Sequence, residues 1–185
     1  VDSELLTALS NDENIEMAGL SLTTPLKEIQ IGKDRLNVNY YDETAFQMYS
    51  NELIDGKLPK KETEIAISSS FLEKHGMEPV LGQPFSLDLG EHIPSEFTVC
   101  GLIKDDDANN SYQVLVSQTF LESYFSGTSI PYSALIRMTG SENMQTNELK
   151  QHILICLEPY GFSEADIAFS SSYFTTFENT SSNTF

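Results

Sequence analysis

Gly56-Lys57-Leu58-Pro59, Glu64-Ile65-Ala66-Ile67-Ser68, Leu81-Gly82, Phe85-Ser86-Leu87 and Phe97-Thr98-Val99-Cys100-Gly101-Leu102-Ile103 follow one another in the middle of the chain, and their reading decides the fold. Glycine, proline and charge make residues 56–61 a turn, and the short apolar run after it, bounded by turn signals, reads as a strand. A helix follows: Ser70 and Glu73 have capping-box spacing, Phe71 and Leu72 open its apolar face, and Gly76 stands where a left-handed C-terminal cap belongs. Pro84 fits only the start or the edge of a strand, and beyond it Phe85, Leu87 and Leu89 share a face. Residues 97–103 are continuously apolar, which predicts a central strand covered on both sides, ending in the loop from Lys104 to Ser111.

The pattern extends outward in both directions. Tyr112 to Val116 reads as a strand, and Ser117 opens a helix through Phe125 with Phe120, Leu121 and Tyr124 on one face. Towards the N-terminus, Ile15 to Leu22 is a strand, and residues 29–31 and 36–40 alternate around Gly32-Lys33-Asp34-Arg35 as a hairpin. Asp42 to Ser50 follows as a short helix, with Thr44 and Gln47 at capping-box spacing and Phe46, Met48 and Tyr49 as buried contacts. After the break at residues 127–131, Tyr132 to Met138 is a strand. A helix then runs to about Glu158, with Leu149, Ile153, Leu157 and Tyr160 facing the core and Pro159 and Gly161 ending it. A last strand is expected over residues 167–169, and residues 171–185 have linker composition. This mixed order, without a tandem repeat, predicts an α+β fold rather than a doubly wound parallel sheet.

Composition narrows the function. The 185 residues carry 39% hydrophobic and 10% aromatic side chains, enough for a real core. Twenty-eight acidic against ten basic residues give a net charge of −18, the wrong sign for nucleic acid or an anionic lipid surface. After Lys104 only Arg137 and Lys150 are basic. Cationic partners remain open, and their binding should weaken as salt screens the field. Apolar stretches long enough to span a membrane are absent from this sequence, and it does not open on a basic-then-apolar signal pattern. Because Val1 is not an initiator methionine, the chain reads as a mature or excised fragment. Cys100 and Cys156 sit in apolar runs and read as small buried hydrophobes rather than a disulfide.

No motif marks a reaction. His75, His92 and His152 lie far apart, without a His-Glu-x-x-His or Cys-x-x-Cys partner set. Asp105, Asp107 and Asn109 alternate like the first ligands of a calcium loop, but Asn110 replaces the glycine at position six and Val116 the glutamate at position twelve. The acidic segment is a solvated loop. Gly-x-Ser-x-Gly, Ser-x-x-Lys and phosphate loops are absent. Nothing selects a carboxylate pair for glycoside chemistry, and tryptophan is missing. Asn109-Asn110-Ser111 and Asn179-Thr180-Ser181 match the glycosylation sequon, a weak pattern. No residue is therefore assigned a catalytic, cofactor-binding or metal-binding role, and no cofactor is expected.

The series quoted at the outset, from Gly56 to Val116, resembles the extracytoplasmic core domain of FtsX-like ABC transporter permeases, the MacB-like family. Such domains read as G-(R/K)-x-P, N/E-I-x-I-S, L-G-D and F-x-V-x-G-(I/V). Gln83-Pro84 stands where an acidic and a small polar residue are usual, and Cys100 replaces a common valine. The resemblance implies a discontinuous, membrane-proximal α/β lobe (porter-like, residues 1–52 with 127–170) and an inserted β-rich lobe (Sabre-like, 53–126). Residues 171–185 would lead to a transmembrane helix.

It also implies a non-enzymatic domain on the extracellular face of the cell membrane, anchored by helices of the same chain. Its implied partners are a second permease subunit, a cytoplasmic ATPase, and a peptide, lipoprotein or hydrophobic substrate. A short domain of this composition is similar to those of Gram-positive exporters. Two other readings stay open at this point: a secreted or lipid-anchored ligand-binding protein, and a hydrolase using two unmarked carboxylates.

Overall fold

Strand β5 (Glu64–Ser68) and strand β7 (Glu96–Lys104) lie side by side and parallel within one mixed sheet. The computed structural model describes residues 3–49, 52–104, 108–127 and 130–167. Along this chain run α1 (Ser3–Ser10), β1 (Ile15–Leu22), β2 (Lys27–Ile31), β3 (Asp34–Asn39), α2 (Glu43–Met48) and β4 (Glu52–Gly56). After β5 come α3 (Ser69–Lys74), β6 (Pro84–Ser86), β7, β8 (Ser111–Leu115), α4 (Gln118–Phe125), β9 (Tyr132–Met138) and α5 (Thr146–Leu157). The α+β reading holds.

Two compact units result. Unit 2 is Leu20–Ser133, and unit 1 joins the residues up to Gly19 with those from Ala134 onward. The chain leaves unit 1 within β1 and returns to it within β9, and these two strands pair. The change-overs expected near residues 52 and 127 fall inside unit 2. Residues 168–185, which include most of the expected last strand and all of the expected linker, lie outside the described residues. The one residue of that strand described here, Ile167, follows a 3-10 turn over Glu164–Asp166.

Unit 2 is organised by its sheet, of order β2-β3-β8-β5-β7-β4, with β6 pairing the first half of β7. The β2–β3 hairpin is antiparallel, as alternation around Gly32 predicts, and Gly32 takes the left-handed φ of +63° that this turn needs. One face buries Leu36, Val38, Ile65, Ile67, Phe97, Val99 and Val114 against Phe71 and Leu72 of α3 and Phe120 and Leu121 of α4. Aromatic rings knit this layer: Phe71 meets Tyr112 at 5.5 Å, and Phe97 meets Phe120 at 5.7 Å between centroids. On the other face a smaller cluster joins Ala66, Ile103 and Leu115 to Phe46 of α2.

The apolar run of β7 has a cause different from the one expected. Its pairing with β5 shifts by one residue between Ile65 and Ala66, so Val99 opposes Ile65 while Gly101 opposes Ala66, and Cys100 is the extra residue of a bulge. A bulge reverses the alternation of faces. Phe97 and Val99 therefore face the same core as Leu102, whereas Ile103 joins the opposite cluster. The first half of the strand is buried on one face only, and the second half on both. The other edge of β7 is shared between β6 and β4.

Three local expectations are corrected. The helix α3 is capped by Ser68, whose Oγ accepts the N–H of Phe71 at 3.1 Å, not by Ser70. Ser68→Ala is expected to cost about 1 kcal/mol of stability in a urea titration, and Ser70→Ala less. At the other end Gly76 takes the predicted left-handed conformation, with φ +70°. Likewise α2 is capped by Asp42, which accepts from the N–H of Ala45 at 2.7 Å, and not by Thr44. The strand expected over residues 85–89 is only Pro84–Ser86, although Phe85 and Leu87 are buried. At α4 the sequence reading holds: Ser117 Oγ accepts from Phe120 N–H at 3.0 Å.

Unit 1 has its own core of Leu9, Ile15, Ala18, Met138, Leu149 and Leu157. Leu9 belongs to α1, a helix for which no expectation was drawn. The hydroxyl of Tyr160 donates to Asp12 at 2.7 Å, closing residues 148 apart in sequence. Among the described residues no helix is long and apolar enough to cross a membrane.

Candidate functional site

Two clusters that join charged side chains to several partners stand out among the described residues of unit 2. The first is the turn after β4. Gly56 has φ +78°, and a β-carbon there would stand 2.2 Å from the carbonyl oxygen of Cys100. Gly101 is its counterpart, since a β-carbon on it would stand 2.2 Å from the carbonyl oxygen of Lys57. Two backbones thus cross in contact where only glycines fit, and Lys57 N–H donates to Cys100 O at 3.0 Å across the crossing.

Beyond that crossing, Glu64 turns its carboxylate back into the loop that precedes it. Oε1 lies 3.0 Å from the Lys57 ammonium, and Oε2 accepts the backbone N–H groups of Lys60 and Lys61 at 3.0 and 3.1 Å. Burial opposes ionisation of this carboxyl, but the N–H of Lys60, the Lys57 ammonium and the N–H of Lys61 outweigh it and hold the group at about 2. Helix α4 secures the same loop, through Ser117 Oγ donating to Lys61 O at 2.9 Å and Thr119 Oγ1 donating to Lys60 O at 3.0 Å. The loop's own carboxylate fills its nest of amides.

The second place joins the start of β3 to the end of α3. Asp34 is buried, with Lys74 Nζ 2.7 Å from Oδ1 and His75 Nε2 3.0 Å from Oδ2. Lys74 also donates to Asn110 Oδ1 at 2.9 Å and to the Tyr112 hydroxyl at 3.0 Å. The hydrogen bond from Lys74 holds the Asp34 carboxyl below its usual range, against burial and with help from His75. Both carboxylate oxygens are occupied, so the cluster ties β3, α3 and β8 together.

The residues weighed for chemistry are dispersed. His75 belongs to the Asp34 cluster; His92 lies exposed with φ +66°, and His152 is one turn from Cys156 on α5, with Nε2 3.8 Å from Sγ. Among the described residues no three His, Cys, Asp or Glu side chains are placed to hold a metal ion. Asp105, Asp107 and the sequon at residues 179–181 lie outside the described residues; Asn109 is exposed in a left-handed conformation, φ +59°. Both cysteines are free, but each is half-buried rather than buried. Burial pushes the Cys100 thiol up to about 11, so it is a poor nucleophile at neutral pH. Sequence reasoning missed the Glu64 nest. An acid three and four residues after two loop lysines was its only signal.

No protein-family model matches the sequence, and no curated protein does. Solved structures match the fold. The periplasmic region of MacB from Actinobacillus actinomycetemcomitans superposes with a TM-score of 0.56 at 14% identity, over 85% of this chain and 72% of that one. The extracellular domain of the noncanonic ABC-type transporter YknZ from Gram-positive bacteria gives 0.57 at 13% identity, over 88% and 86%. A domain of a Porphyromonas gingivalis protein described as a permease gives 0.53 at 18%, over 83% and 75%. The chain shares the fold of these periplasmic, extracellular and permease domains.

Proposed function

We propose that this chain is the extracytoplasmic domain of an ABC transporter permease, held at the outer face of the membrane by transmembrane helices of the same polypeptide. It couples cytoplasmic ATP hydrolysis to export or extraction of a peptide, lipoprotein or hydrophobic substrate, and performs no turnover of its own. A second permease subunit and a cytoplasmic ATPase complete the machine. The observation that carries the reading is the likeness of fold to transporter domains over more than four-fifths of this chain.

The arrangement of the units supports it. Among the described residues, those up to Gly19 and those from Ala134 build one unit, and the larger unit is inserted between them in sequence. The test is the reading frame on either side. An apolar stretch of about 20 residues upstream and several downstream are expected. Hydrophilic flanks would contradict the proposal and favour a secreted ligand-binding protein.

A further inference from the structure

Four large apolar side chains stand exposed among the described residues: Ile54 (52%), Val80 (47%), Leu81 (40%) and Ile155. The first three lie along one edge of unit 2, beside β7. Lys57 N–H donates to Cys100 O at 3.0 Å and Gly82 N–H to the adjacent carbonyl, Val99 O, at 2.8 Å. Lys57 and Gly82 are therefore pinned to consecutive residues of β7, and Ile54 lies further along the same edge, between the Leu53–Ile103 and Asp55–Leu102 pairs. The side chain of Leu81 reaches over the turn, with Cδ2 2.9 Å from where a β-carbon on Gly56 would stand. Ile54 is exposed because the β4–β7 register shifts between Leu53 and Asp55, leaving it as the bulged residue.

The rim of this apolar surface is acidic. Glu52, Asp55 and Glu78 are exposed and form no ion pair among the described residues; of the lysines on the same edge, Lys57 is taken up by Glu64 at 3.0 Å and exposed Lys104 stands opposite Glu52, so Asp55 and Glu78 carry the uncompensated charge. From this juxtaposition we propose that the Ile54, Val80 and Leu81 edge docks an apolar segment of another protein that carries lysine or arginine on both sides.

Apolar contact supplies the area and the rim carboxylates select the charge of the flanks. A second copy of this chain does not fit, because it would bring the same carboxylates against one another and carries the same charge of −18. Addition of a strand does not fit either, since the bulge interrupts the even row of backbone groups that pairing requires. The partner is recognised through side chains. This inference does not depend on the permease reading.

The test uses the 185-residue chain and three labelled peptides, read by fluorescence anisotropy at physiological ionic strength. One has a Val-Ile-Leu centre with two lysines on each side, one has glutamates in place of the lysines, and one keeps the lysines around a serine centre. Only the first is expected to bind. Ile54→Ser and Leu81→Ser should each weaken it about tenfold, and Ile155→Ser, an exposed apolar residue of unit 1, should leave it unchanged. The double variant Asp55→Lys, Glu78→Lys should transfer binding to the glutamate peptide.

A variant whose far-UV spectrum differs from the parent is replaced by Val80→Ser, for which the same tenfold loss is expected. Equal binding of the serine-centred peptide, an equal loss with Ile155→Ser, or no binding of any peptide would overturn the proposal. So would a dimer in light scattering that Leu81→Ser disperses, which would assign the edge to a second copy.

Discussion

Gly101→Ala should lower the stability of unit 2 by about 3 kcal/mol, more than typical changes of a single exposed residue. The added methyl would stand 2.2 Å from Lys57 O and 3.1 Å from both Lys57 C and Ala66 Cβ. Neither side can retreat. Lys57 is hydrogen-bonded to Cys100 through its N–H and to Glu64 through its ammonium, and Ala66 lies fully buried in β5. Gly56→Ala should be worse, about 4 kcal/mol, because its φ of +78° adds the left-handed penalty of about 1 kcal/mol to a 2.2 Å contact with Cys100 O. Gly32→Ala separates the two causes. It has φ +63° with nothing within 4 Å, and should cost only about 1 kcal/mol. Urea titrations followed by far-UV circular dichroism measure all three. A Gly101→Ala variant within 1 kcal/mol of the parent would show that the two backbones do not cross in contact.

Glu64 should make the stability of unit 2 depend on acid. Its carboxyl is held at about 2 in the folded chain against an ordinary 4.5. A depressed value means that ionised Glu64 stabilises the fold in full above about 4.5, and that this contribution is lost as pH falls from about 4.5 towards 2. The expected loss is about 2 kcal/mol, given a side chain 12% exposed. Glu64→Gln should lower stability by a similar amount at pH 7 and remove that part of the acid dependence. Lys57→Met should do less, because its ammonium is half exposed. If Glu64→Gln melts like the parent at pH 7 and pH 3, the carboxylate does not hold the loop.

Much of this fold is legible in the chain because local signals agree with the tertiary outcome. Ile15–Leu22 and Tyr132–Met138 are strands at the predicted bounds, and Ser117 opens its helix as its side chain allows. The failures have physical reasons. Strand β4 reads Glu-Leu-Ile-Asp-Gly, with polar ends and no clean alternation, and exists through its bulged pairing with β7. Helix α1 is eight residues long, too short to announce itself by periodicity, and is held by burying Leu9 in unit 1. Ser68 and Ser70 present the same capping chemistry two residues apart, and where β5 ends decides between them.

The candidate features were less legible than the elements. Gly56 and Gly101 are visible as motif glycines, but that each excludes a side chain because of the other appears only when β4 and β7 are paired. The Glu64 nest and the Asp34 cluster depend on backbone amides and on residues 40 apart in sequence, which no spacing rule connects. The exposed edge at Ile54 and Leu81 is hidden for a similar reason: both read as ordinary apolar residues until burial is known.

The proposed role of this fold is the outer domain of an ATP-driven permease. Its most direct test is to purify the full-length polypeptide from detergent-solubilised membranes and assay ATP hydrolysis in the purified material. The polypeptide is expected to fractionate with membranes and to carry an ATPase, as a co-purifying subunit or a domain of the same polypeptide. Recovery in the soluble or secreted fraction, or from membranes without associated ATP hydrolysis, would contradict it.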